Sequence, residues 1–63
     1  MKVRDVLLMT ANDCKVRLVD VNGKTLKHGT CLDLFGNSGG LGHILVLGLD
    51  SKDDTLILRI AMM

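Results

Sequence analysis

The stretch Leu34-Phe35-Gly36-Asn37-Ser38-Gly39-Gly40-Leu41-Gly42-His43 sets four glycines just ahead of a long apolar run. Successive glycine amides can form a concave nest for an anion, and His43 with a nearby lysine would add charge. Spacing excludes two phosphate-gripping motifs. A Walker A loop ends in Gly-Lys-Ser/Thr between a strand and a helix. Here Gly42 precedes His43, and the expected order is helix, loop, strand. The dinucleotide fingerprint fails on the same geometry. Two readings stay open for Gly36, Asn37, Ser38, Gly39, Gly40, Gly42 and His43. They form a ligand loop, or they are a join that turns a short helix into a strand.

Lys15, Arg17 and Lys27 make a second candidate set. They are expected on the outer face of a hairpin as a basic stripe, which in an oligomer would line a cleft for a phosphate-bearing ligand. Other chemistry is poorly supplied. No Glu is present for acid–base work. The aspartates fall mostly in turns and caps, and Ser38 and Ser51 lack a nucleophile-elbow context. Cys14 and Cys31 match no zinc spacing, so no metal and no cofactor are expected. His28 and His43 read as strand-edge residues. The chain is therefore read as non-enzymatic.

Composition narrows the partners. Eight basic against seven acidic residues, one aromatic (Phe35) and no Trp or Tyr argue against stacking on single strands and against a general duplex binder. Nucleic acid is thus an unfavoured partner. No apolar run approaches the roughly 20 residues of a membrane span, and Asp5 interrupts the only signal-like start. A cytoplasmic protein with reduced cysteines is expected.

The elements follow from periodicity and punctuation. Val3, Val6, Leu7 and Thr10 share a helical face within residues 2–11. Residues 14–30 hold two β-prone runs around Asn22-Gly23. A two-residue turn would put Arg17 and Lys24 on the face of Val19 and Leu26. A three-residue loop, with Asp20 opposite Lys24 and Gly23 left-handed, separates apolar from charged residues better. That register sets Leu18 on Leu26, Val16 on His28 and Cys14 opposite Thr30, leaving Lys15, Arg17, Val19, Thr25 and Lys27 on the other face. Cys14 then lies near Cys31, and a disulfide is geometrically conceivable.

Thr30 and Asp33 have capping-box spacing for a short helix that Gly36 should end in the left-handed conformation. Residues 43–49 and 55–62 read as a closing hairpin around Asp50–Asp54, with Leu56, Leu58 and Ile60 on one face. The expectation is one α+β domain, residues 1–63, in the order α-β-β-α-β-β, with an antiparallel sheet and two short helices. With 48% hydrophobic residues in so short a chain, and strands apolar on both sides, a second copy is expected over the face the helices leave open.

The whole chain resembles a group of short proteins from bacteriophages and mobile elements of Gram-positive bacteria. Met1, Lys2, Val3, Asp5 and Leu7 carry the likeness in the first helix. Lys15, Val16, Leu18, Asp20, Asn22, Gly23, Leu26, Gly29 and Thr30 carry it in the hairpin, and Asp33 and Leu34 in the second helix. The glycine loop and the missing glutamates depart from that pattern. The resemblance implies a counter-defence role in the host bacterial cytosol. One form is a homo-oligomer that sequesters a nucleotide-type immune signal; another is an inhibitor of a host defence protein such as a CRISPR nuclease; a third is a small DNA-binding regulator.

Overall fold

A computed structural model describes residues 1–37 and 40–62. Its elements are α1 (Val3–Leu8), β1 (Lys15–Val19), β2 (Thr25–Thr30), α2 (Cys31–Gly36), a 3₁₀ turn (Leu41–His43), β3 (Val46–Lys52) and β4 (Thr55–Ile60). The α+β class and the element order agree with the sequence reading, apart from the added 3₁₀ turn.

The sheet differs from the expected antiparallel one. Strand order is β2-β1-β4-β3, and β1 runs parallel to β4. Each hairpin is antiparallel, as its tight turn requires, but the two halves meet side by side in the same direction. Val16 then lies against Leu56 and Leu18 against Leu58. This match places β1 and β4, the two strands with the most buried residues, in the middle. Both helices cover the face so formed. Val3, Val6 and Leu7 of α1, Cys31 and Leu34 of α2, and Val16, Leu18, Leu58 and Ile60 of the sheet form one buried cluster.

Local signals explain the termini of these elements. The Asp5 carboxylate accepts the Lys2 N–H at 3.0 Å at the start of α1. At α2, Thr30 Oγ1 accepts the Asp33 N–H at 3.2 Å and Asp33 Oδ2 accepts the Thr30 N–H at 3.3 Å, the reciprocal box that the spacing predicts. Gly36 is the last residue of α2, yet the cap that follows, Asn37, has φ −148°, so the left-handed ending expected at Gly36 is not used. The first hairpin closes as anticipated: the Asp20 N–H donates to Lys24 O at 2.9 Å, and Gly23 has φ +87°. Asp20 is buried, and its Oδ1 accepts the main-chain N–H groups of Asn22 and Lys24, both at 2.9 Å.

Beyond that turn the register slips. A bulge between Leu18 and Val19 sets Leu18 opposite Lys27, Val16 opposite Gly29 and Arg17 opposite His28. The expected partners were Leu26 for Leu18 and His28 for Val16. The bulge puts Leu26 and Lys27 together against Leu18. It also brings Gly29 rather than His28 to the helix-covered side. A polar ring is thereby kept out of the core.

The closing hairpin is displaced relative to the sequence reading. Leu41–His43 form the 3₁₀ turn, and β3 begins at Val46 and runs on to Lys52. The connection shrinks to Asp53 and Asp54, with φ +53° and +61°. Those angles match the mirror-image turn that suits the twist of a two-residue hairpin. A second bulge between Val46 and Gly48 breaks the simple alternation expected for Leu45, Leu47 and Leu49. These three are exposed, at 53%, 52% and 59%.

Candidate functional site

The face of the sheet turned away from the helices is built in rows set by the pairing register. The first row is Thr30, Lys15, Thr55 and Lys52; the second is His28, Arg17, Ile57 and Asp50; the third is Thr25, Val19, Arg59 and Gly48. Two apolar side chains, Val19 and Ile57, lie among these twelve positions. In these rows the second face is thus mixed rather than the uniformly apolar one expected. Outside these twelve positions, the exposed large apolar residues among those described are Met1, Leu8, Met9, Val21, Leu32 and Phe35, and Leu45, Leu47 and Leu49 along the β3 segment.

The charge on this face is lopsided. Four of the eight Lys and Arg residues, but one of the seven acids, occupy those rows. A near-neutral chain thus carries a basic face, because the remaining aspartates sit in turns, caps and the 12–14 connection. The lone acid, Asp50, lines a depression of this face with Ile57 and Arg59, and its Oδ1 accepts the Ser51 N–H at 2.8 Å. Gly48 makes room on the opposite flank. A Cβ there would meet the Arg59 guanidinium at 3.2 Å, so the arginine lies across a backbone that has no side chain to lift it. A shallow cleft of about 450 Å³ opens beside β1 and β2, lined by Lys15, Arg17, His28, Gly29, Thr30 and Thr55. Asp33, engaged in the α2 cap, also lines it, as does Val16.

The candidate residues named from the sequence divide into two groups. Lys15 and Arg17 are together on the open face. Lys27 is not with them. The bulge turns it toward α2, where Nζ donates to Asn37 O at 2.8 Å, a cation placed at a helix C-terminus. Gly40, Gly42 and His43 also lie on the helical side, lining a depression of about 170 Å³ with Arg4, Leu7 and Phe35. Gly40 takes φ +86° to start the 3₁₀ turn. Gly36 and Asn37 close α2. Ser38 and Gly39 lie outside the described residues. Within one protomer the sheet therefore separates the glycine segment from Lys15 and Arg17.

Sequence reasoning missed Arg59, Lys52 and Arg4 as candidates. Arg59 had left a signal, as the one charge in an otherwise apolar strand. Its closeness to Arg17 depends on the parallel β1–β4 pairing, which no local pattern announces.

Both cysteines are free thiols. Cys31 is buried against α1, and its Sγ donates to Leu7 O at 3.1 Å. Burial, and secondarily the neighbouring Cys14, pushes its pKa above the ordinary thiol value. Such a thiol is a poor nucleophile at neutral pH. Among the described residues no three His, Cys, Asp or Glu gather to hold a metal ion, and no helix is long and apolar enough to cross a membrane. No protein-family model, curated protein or solved structure matches this chain.

Proposed function

We propose that this chain is a non-enzymatic binding protein whose open sheet face takes a phosphate-bearing, nucleotide-type ligand, and that it works as a homo-oligomer. The observation that supports this is the placement of Lys15 and Arg17 together on the open face, where both line the cleft beside β1 and β2. The cleft beside Lys15 and Arg17 has a volume within the range of small-molecule sites. It is open on one side, so a second copy would be needed to enclose a ligand. Joined to the resemblance to short phage proteins, the reading extends to holding a host's nucleotide immune signal in the bacterial cytosol.

Calorimetry of the purified protein against cyclic and linear nucleotides tests this. Binding that Arg17→Ala weakens at least tenfold, with the ligand recovered unchanged after heating, is the expected result. Silence across the whole panel, with inorganic phosphate and pyrophosphate included, sinks it.

A second reading rests on a different surface. Leu8, Leu32 and Phe35 are 63%, 58% and 47% exposed, and they flank a groove between the two helices. That surface favours a protein-binding inhibitor of a host defence effector. A stoichiometric partner captured by the wild type and lost with Leu32→Lys would support this reading over the first.

A further inference from the structure

The register of the open face orders its cations along a line. Lys15 and Arg17 alternate on β1, about 6.6 Å apart by strand rise. Arg59 stands one strand across and one row on, because Arg17 pairs with Ile57 in the parallel direction, which puts it about 8 Å from Arg17. Lys52 lies two strands from Lys15, beyond Thr55 and beside Asp53 and Asp54 of the turn, so it is not counted; Arg59 is counted, with Asp50 near it. Among the described residues, none of the three cations donates a side-chain hydrogen bond, whereas Lys27 does. Threonines 25, 30 and 55 and Gly48 keep the surroundings low, and no Phe, Tyr or Trp side chain rises from the rows of this face.

We infer that Lys15, Arg17 and Arg59 form a track for successive phosphodiesters of a nucleic-acid backbone, read without regard to base sequence. A single nucleotide occupies the cleft at Lys15 and Arg17 and leaves Arg59 idle. A chain of phosphates uses all three cations in turn. The near-neutral total charge does not oppose this, because the local field over the face, and not the sum over the molecule, steers a polyanion. With no Phe, Tyr or Trp in these rows, His28 is the one ring that can stack on a base, and contact falls mainly on the backbone. This inference rests on the open face being the anion site, and it specifies the ligand class.

The test is fluorescence anisotropy of the full chain with a short labelled duplex and, separately, one of its strands, over a range of salt. Three neutralised phosphates give a slope of log K against log salt of about −2.7 for the duplex or about −2.1 for the single strand. Arg59→Ala should reduce that slope by about one third while leaving mononucleotide binding unchanged. Lys27→Ala should leave both unchanged. The arm that binds tells which form of the backbone is recognised. If mononucleotide binds while neither nucleic acid does, or if Arg59→Ala leaves the slope intact, the track is wrong and the anion site survives. If neither class binds, both fail. Thermal melts of each variant confirm folding, which these exposed side chains should barely affect.

Discussion

Cys14 and Cys31 are joined through the backbone, since the Cys31 N–H donates to Cys14 O at 2.7 Å, yet their side chains have different surroundings. Cys14 is half-buried; Cys31 is 1% exposed and bonded to α1. A thiol reagent at mildly alkaline pH should label Cys14 first, and Cys31 only through transient opening, as mass spectrometry of the labelled peptides would report. The raised Cys31 pKa also has a sign for stability. The folded state keeps a proton that the unfolded state gives up, so stability is intact below the ordinary thiol value of 9.0 and declines as pH rises past it. Denaturant midpoints should therefore fall above that pH in the wild type, and fall less in Cys31→Ala. Individual residue roles were only partly legible in the sequence. The Thr30–Asp33 cap was plain because its logic is local, whereas Lys27 was placed on the wrong face because a bulge of one residue reverses every side chain beyond it.

At the scale of elements, short pieces depend on their ends. α2 has six residues, so its cap is a large share of its support. Thr30→Ala should cost about 1 kcal/mol, read as a melting temperature lower by roughly 4–8 °C. The β3–β4 turn offers the opposite change. Asp53 and Asp54 both hold positive φ, which L-residues adopt at a cost. Replacing them with Asn-Gly should stabilise the hairpin by about 1 kcal/mol in urea titrations. This turn was hidden in the sequence because five polar residues, Asp50–Asp54, suggested a longer loop. Pairing of Lys52 with Thr55 recruits three of them into the strand. The glycine segment was misjudged in the same way. Part of it, Leu41–His43, is a 3₁₀ turn, where Leu41 and Gly42 were expected in an irregular loop and His43 at the start of a strand.

The whole molecule depends on the central parallel pair. Leu18 and Leu58 face each other fully buried in the middle of the sheet. Leu18→Ala should cost about 3 kcal/mol, a major part of the roughly 5 kcal/mol typical of so small a domain, and lower the melting temperature followed by circular dichroism by roughly 12–24 °C. The composition foretold apolar surface left uncovered in one copy, and among the described residues nine large apolar side chains are exposed. Where they would lie was not legible, because strand order decides it.

One consequence of the order β2-β1-β4-β3 concerns synthesis. The strand that bonds to both β1 and β3 is the last of the four to be synthesised. Until it arrives, the earlier strands wait with bare, pairable edges, and Leu18 has no opposite number. The first hairpin and α1 can gather early, but the nucleus that seals the fold forms only after translation has passed Ile60. During that interval the nascent chain is most open to a chaperone, or to a neighbouring chain on the same messenger.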